Sequence, residues 1–271
     1  MNVKVILLTG ASSGIGYNTA EHLVKEGYTV YGAARRTDQM PVGVKPVKLD
    51  ITNEESIQAC IEQVMQAEGH IDVLINNAGY GSYGAIEDIT IEEAKRQLEV
   101  NLFGLANLTK QVLPIMRQQK SGTIINISSM GGRVSTLFGG WYHASKYALE
   151  GFSDCLRMEV AAFGIDVVLI EPGGVKTDWG MIAADHLADS SKGGAYENQA
   201  LKTSANMKRQ YSSNMLSNPN IIAKTIAKTI AKAIKSRRPK TRYLIGFGAK
   251  PIVFMKTILP DRLYDKIMRN M

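Results

Sequence analysis

Tyr142 and Lys146 stand four residues apart in the stretch WYHASK, with Ser145 between them. On a helix, positions i and i+4 share a face about one turn apart. An ammonium beside a phenol favours the phenolate, and a free phenol, with a pKa of about 10, is a weak acid near neutrality. So paired, Tyr142 would act as general acid toward an oxygen that gains negative charge, and as base in the reverse direction. Chance also produces this spacing in a chain with 11 tyrosines, so the pair carries meaning only beside a cofactor site.

The stretch LLTGASSGIGYNTA supplies one. It joins an apolar run to a helical pattern through Gly10, Gly14 and Gly16, with Ser12, Ser13 and Ile15 inside the turn. Glycines let a pyrophosphate approach the backbone, and the helix that follows offers free N–H groups and its positive dipole end. The spacing is G-x-x-x-G-x-G, a variant of the dinucleotide fingerprint. A plain strand-to-helix turn is the competing reading, and the glycine density argues against it. Further on, an acid would be expected to hold the adenosine ribose. The chain instead has Arg35 and Arg36, which suit a 2′-phosphate through forked, charge-assisted bonds. The expected cofactor is NADP(H) in preference to NAD(H), unless both arginines merely begin a solvated loop.

These groups need elements to hold them. VKVILLTG, YTVYGAARR, VKPVKLD, IDVLINNAG, GTIINISS and IDVVLIEPGG read as six strands, with a seventh at RYLIG. Helical patterns separate them: one ending at Gly27, one over Glu54–Glu68, a long one over Ile91–Gln119 containing Pro114, and one over Tyr142–Phe163. Short apolar runs alternating with helices argue a parallel sheet buried on both faces. The expected fold is α/β, a doubly wound (Rossmann) sheet of about seven strands, one domain over residues 1–271.

Two segments break the alternation. Residues 176–218 are polar with weak periodicity and are expected to form a substrate flap. Residues 249–271 form a C-terminal extension, and the stretch GFGAKPIVFMKTILP (246–260) that leads into it is too apolar to be a solvated tail; covering the substrate mouth ranks first, an oligomer contact second and a membrane surface third. Between them, Ile222, Ile226, Ile230 and Ile234 make one helical stripe with lysines opposite.

The composition, 45% hydrophobic and 21% charged, is that of a globular chain. Residues 198–260 hold thirteen Lys or Arg and no acid; with a total of +7, the remainder carries −6. Any electrostatic partner would therefore meet the C-terminal part, yet no nucleic-acid motif is present. Cys60 and Cys155 cannot build a disulfide framework and read as buried or inert thiols in a reducing, cytoplasmic setting. The N-terminal apolar run is too short for a signal peptide, and no stretch reaches the ~18 apolar residues of a membrane span. No metal site is expected.

Four motifs stand in order: Thr9-Gly10-x-x-x-Gly14-Ile15-Gly16, Asn76-Asn77-Ala78-Gly79, Tyr142-x-x-x-Lys146 and Pro172-Gly173-x-x-x-Thr177. With them the sequence resembles the short-chain dehydrogenase/reductase family from residue 3 to about 180. The resemblance implies a catalytic tetrad of Asn101, Ser129, Tyr142 and Lys146, with Ser129 preferred to Ser128 by the family's thirteen-residue spacing to the tyrosine. It assigns Asp50 and Ile51 to the adenine, Asn77, Ala78 and Gly79 to the adenosine, and Pro172, Gly173, Val175 and Thr177 to the nicotinamide. Lys146 would also reach the nicotinamide ribose, and Asn101 would anchor a water. The implied activity is hydride transfer between NADP(H) and a ketone or secondary alcohol, nearest in look to hydroxysteroid and retinol dehydrogenases, on a bulky apolar substrate and in a homo-oligomer (dimer or tetramer). A 3-oxoacyl carrier-protein reductase and a non-catalytic dinucleotide sensor are the alternatives. His143, Tyr147 and Trp141 read as packing residues; Tyr80 and Tyr83 could line a pocket or sit in a surface loop.

Overall fold

Val5–Thr9 form β1, and all five residues are buried, as a strand covered on both faces must be. In the computed structural model, which describes residues 3–175, 178–212, 219–246 and 248–269 and only the backbone at 178–179 and 219–223, six more strands join it. They are β2 (Thr29–Ala34), β3 (Lys45–Lys48), β4 (Val73–Asn76), β5 (Gly122–Ile127), β6 (Ile165–Pro172) and β7 (Arg242–Ile245). The sheet order is β3-β2-β1-β4-β5-β6-β7, with every pair parallel. The order reverses between β1 and β4, so a crevice opens at their carboxyl ends, where α/β sheets bind ligands.

One face of the sheet is covered by α1 (Gly14–Lys25) and α8 (Pro219–Lys235) through Leu23, Ile226, Ile230 and Ile234. The expected isoleucine stripe is therefore the inward face of α8, while Lys224, Lys228 and Lys232 are exposed; the Ile222 side chain lies outside the described residues. The other face carries α2 (Glu54–Glu68), α4 (Leu105–Gln119) and α5 (Gly140–Val160), packed through Val64, Leu108, Met116 and Leu156.

One expectation needs correcting and two gain detail. The long pattern over 91–119 is α3 (Ile91–Leu98), a π-helical stretch over Glu99–Gly104, then α4. The widened turn contains Asn101, and such insertions recur at functional sites. Residues 178–212 are not irregular: they form α6 (Asp178–Ser190) and α7 (Glu197–Ser212). The apolar periodicity is weak because small residues, Ala183, Ala184, Ala200 and Ser204, fill much of their contact. Finally, Cys60 is buried, its thiol pushed up to about 12 by burial, but Cys155 is exposed.

The C-terminal extension folds as α9 (Ala249–Ile258) and α10 (Asp261–Met268). Val253 and Tyr264 pack on Val134 with Met130 and Leu244 around them, and Tyr264 donates to the Ser135 carbonyl at 3.2 Å. Phe254 and Ile258 remain 64% and 59% exposed. Among the described residues no helix is long and apolar enough to cross a membrane.

Candidate active site

The turn after β1 is shaped by close approaches. A Cβ on Gly16 would fall 2.1 Å from the Gly10 carbonyl oxygen, so only glycine fits there. Gly14 has φ +56 and open space around it, a left-handed conformation that side chains disfavour. Ser13 is the N-cap of α1, yet its side chain makes no capping bond. The first N–H groups of α1 therefore receive no side-chain cap from Ser13. Ser12 and Ile15 are half-buried beside them.

Asn77 and Ala78 are tied to this turn. Thr9 Oγ1 accepts the N–H of both, each at 3.0 Å, and Asn77 Nδ2 returns bonds to the Thr9 and Gly10 carbonyls. Thr9 thus sets the distance between two of the four motifs. Arg35 and Arg36 follow the end of β2, both exposed, and among the described residues neither is held in an ion pair. Asp50 has its carboxyl held below the ordinary range by bonds from Thr52, with Arg35 also contributing. The Ile51 carbonyl presses on Gly104, where a Cβ would lie 2.3 Å away.

Tyr142 and Lys146 lie in the first two turns of α5. Ser129 begins a 3-10 turn after β5; its Oγ accepts from Gly131 N at 3.0 Å, approaches the Pro172 carbonyl at 3.4 Å and hydrogen-bonds Tyr142. Lys146 is buried and donates to the Ile127 carbonyl at 3.0 Å. Burial draws its ammonium down from 10.5 to about 8, against the favourable charge of Glu150. The expectation that Lys146 lowers the Tyr142 phenol does not hold in this structure: burial first, then Tyr83, pushes the phenol above its ordinary value, with Ser129 opposing. A dry pocket penalises the phenolate more than its neighbours support it.

Asn101 reaches the same point from the π-helical stretch. Its Oδ1 accepts from Tyr80 N at 3.0 Å, and its Nδ2 donates to the Tyr80 carbonyl at 2.7 Å and to Ser145 Oγ at 3.0 Å. Asn101 is thus a clamp between the loop after Gly79 and α5. A Cβ on Gly79 would sit 3.0 Å from Asn101 Oδ1 and 3.8 Å from Lys146 Nζ. Pro172 ends β6, and Gly173 N donates to Ile245 O at 2.7 Å. Val175 is buried in the apolar layer beneath, and Thr177 lies outside the described residues.

His143 is a structural contact, as expected. Its Nε2 accepts the Thr136 N–H at 3.0 Å, so the proton sits on Nδ1, which donates to Gly131 O at 2.9 Å; burial holds the imidazole below its ordinary pKa. Tyr83 resolves toward the pocket: its ring centroid is 5.9 Å from that of Tyr142. Sequence reasoning missed Tyr211 of α7, which lies near enough to Tyr142 and Tyr83 to raise their hydroxyls' mutual cost of ionisation. It also missed a buried amide ladder. Asn76 Nδ2 donates to Asn126 Oδ1 at 2.9 Å, and Asn126 Nδ2 to Ser153 Oγ at 2.9 Å, linking β4, β5 and α5. Only one Asn in each of two largely apolar strands signals it.

The α6–α7 unit is clasped to the loop before α3 and to the first turn of α3. His186 meets Tyr83 O at 2.8 Å and Glu93 Oε1 at 3.0 Å. Ser191 Oγ donates to Asp88 at 2.6 Å, and Tyr196 OH to Glu87 at 3.0 Å. A cavity of about 870 Å³, mostly apolar, opens from His143 along Leu137, Phe138, Ile86, Tyr147 and Tyr196. It starts one residue from Tyr142 without including it. Among the described residues no cluster of metal-ligating side chains occurs.

The family model described as "short chain dehydrogenase" matches residues 4–187. The chain is similar to the probable short-chain type dehydrogenase/reductase VdlC of Helicobacter pylori, 38% identical over 97% of this chain and 96% of that protein. It is 45% identical to the 3-ketodihydrosphingosine reductase of Bacteroides thetaiotaomicron over 65% of this chain and 66% of that one. An NADPH-dependent 3-dehydrocapnine reductase of Ornithobacterium rhinotracheale is 30% identical over 98% and 96%. Among solved structures, a short-chain dehydrogenase from Streptomyces avermitilis superposes with a TM-score of 0.80 at 34% identity, covering 100% and 99%. One from Burkholderia phymatum in complex with NAD gives 0.74 at 25% identity, covering 89% of each chain.

Proposed function

This chain belongs to the short-chain dehydrogenase family, and from that premise we propose that it is an NADP(H)-dependent oxidoreductase that interconverts a bulky apolar ketone and its secondary alcohol. The observation that carries the reading is the meeting of Ser129, Tyr142, Lys146 and Asn101 at the carboxyl ends of β4, β5 and β6, beside the glycine turn. A sensor that only bound a dinucleotide would have no use for two hydroxyls converging there.

The residues present fit a dinucleotide. The uncapped N–H groups of α1 suit a pyrophosphate, and Gly16 leaves the room that any Cβ would fill. Arg35 and Arg36, exposed beyond β2, suit a 2′-phosphate. The NADPH-dependent relative supports this preference, while the NAD-bound neighbour makes it a point for experiment. Bound there, the nicotinamide supplies a hydride.

The rest is the protein's part. Ser129 and Tyr142 would both donate to the substrate's carbonyl oxygen, and Tyr142 would pass its proton to the alkoxide that forms. A phenol kept protonated by burial suits the reductive direction. Lys146, with Gly79 beside it, would bind the nicotinamide ribose and steer the phenol's ionisation. Asn101 holds the loop and helix at fixed separation, and the residues around it would seat the water that returns a proton.

The apolar lining from Leu137 to Tyr196 and relatives named for 3-ketodihydrosphingosine and 3-dehydrocapnine reduction support a long apolar ketone as substrate. Helices α6 and α7 would form the flap over it. The α9–α10 extension, packed on Val134 and bonded to Ser135, would buttress one wall of its mouth. NADPH oxidation with a panel of long-chain ketone, steroid, retinal and acetoacetyl thioester members tests the reading. No turnover with any of them would overturn it, and preference for the thioester would favour a carrier-protein reductase.

A further inference from the structure

One turn beyond Lys146, α5 carries a second set of ionisable groups, none of which was given a contact with substrate or cofactor above. Glu150 is almost wholly buried, and Glu171, just before Pro172 on β6, is fully buried. Arg242 of β7 lies between them. Its Nε is 3.0 Å from Glu150 Oε2 and 3.2 Å from Glu171 Oε1, and its Nη2 is 2.7 Å from Asp154 Oδ2. Arg133, directly after the 3-10 turn that begins at Ser129, meets Glu171 Oε2 at 3.5 Å. Glu150 also packs under that turn: a Cβ on Gly132 would fall 2.8 Å from Glu150 Cγ. One cluster therefore touches the turn of Ser129, the helix of Tyr142 and Lys146, and the strand end that leads into Pro172.

The charges that face one another are Lys146, Glu150, Asp154 and Arg157 from α5, Glu171 from β6, Arg242 from β7 and Arg133 from the turn. Two carboxyls in a dry site hold on to a proton, because neither burial nor a like charge tolerates both anions. Burial, then Glu150, lifts the Glu171 carboxyl to about 7, against Arg133 and Arg242. Glu150 in turn supports the Lys146 ammonium.

We propose that Glu150 and Glu171, clamped by Arg242, are positioning residues of the active site: they lock the Ser129 turn, α5 and the Pro172 segment in register, and Glu150, one turn beyond Lys146, supports its ammonium. Only the link to Lys146 rests on the functional reading above.

Thermal unfolding of the full chain from pH 5.5 to 8.5, with NADPH fluorescence titrations over the same range, tests this on wild type, Glu171→Gln and Glu150→Gln. The folded Glu171 carboxyl ionises above its unfolded value, so the wild type loses stability as pH rises through about 7. Glu171→Gln keeps the shape without the ionisation. Its Tm relative to wild type should climb by about 3–8 °C between the ends of the range. Glu150→Gln removes the like charge and should flatten the same slope, so either variant alone is informative. It should also weaken NADPH binding at pH 8, though not at pH 6. The expected loss is several-fold, because the ammonium fraction at pH 8 falls when an ionisation near 8 loses its supporting charge. A Tm difference constant with pH in both variants overturns the pair. A pH-dependent Tm difference with unchanged NADPH affinity for Glu150→Gln overturns the link to Lys146. A wild type that binds no NADPH overturns the functional reading and that link together, while the Tm arm still decides the carboxyl pair.

Discussion

Ser129 hydrogen-bonds the Tyr142 hydroxyl and at the same time lies against the Pro172 carbonyl at 3.4 Å. One side chain thus joins a turn after β5, the first turn of α5 and the end of β6. The consequence is that hydroxyl placement and backbone placement at this point are not separable.

Tyr142→Phe keeps the ring against Tyr83 and removes the donor. Turnover should fall by about 10²–10⁴, with NADPH affinity nearly unchanged. Ser129→Ala should lose on the order of 10²–10³ and perturb the Pro172 segment as well. A Tyr142→Phe enzyme that keeps more than about a tenth of wild-type kcat contradicts the role given to the phenol.

Lys146→Met separates function from stability. The buried ammonium ionises near 8 instead of 10.5, so at neutral pH the folded state binds the proton less readily than the unfolded chain does. Stability rises with pH between those values and is lowest below 8. Removing the charge should therefore raise Tm at pH 7, by up to about 3 kcal/mol in stability at ~1.4 kcal/mol per unit, less the lost bond to Ile127. The gain should shrink toward pH 10. Activity and NADPH affinity should both collapse. A Tm lowered equally at all pH values would contradict the burial argument.

Arg35→Asp with Arg36→Ala exchanges two cations for one anion where a 2′-phosphate would lie. Charge-assisted bonds contribute roughly 1.5–3 kcal/mol each, so kcat/KM should move from NADPH to NADH by more than about tenfold. Equal kcat/KM for both cofactors in the wild type would remove the case for either arginine.

Deleting residues 249–271 strips Val253 and Tyr264 from Val134 and Ser135. KM for large apolar ketones should rise much more than for small ones. His186→Ala, which unties α6 from Tyr83 and Glu93, should do the same while NADPH binding holds. Unchanged KM values after truncation, with loss only of an oligomer or of membrane association, would reassign the extension.

Much of this was legible from local pattern. The apolar runs of β1, β4, β5 and β6 specify buried parallel strands, because a strand covered on both faces has no polar side to alternate with. The glycine pattern around Gly16 is local as well, so the tight turn between β1 and α1 could be read from fourteen letters. The four-residue interval between Tyr142 and Lys146 is helical geometry and needed no fold. What spacing could not supply was the medium around those groups. The expectation that Lys146 would lower the phenol assumed proximity alone, whereas burial of the hydroxyl, with Tyr83 and Tyr211 adding electrostatic cost, raises it instead. Nor could it reveal that residues 178–212 are helical, since alanine and serine contacts carry little hydrophobic signal while still packing closely. The Arg242 cluster joins residues up to 109 positions apart (Arg133 to Arg242), and only the order in which β5, β6 and β7 pair brings them together. Type and interval determine what a side chain can do; which groups share its water-free surroundings, and therefore which charge it holds, is decided by the tertiary structure.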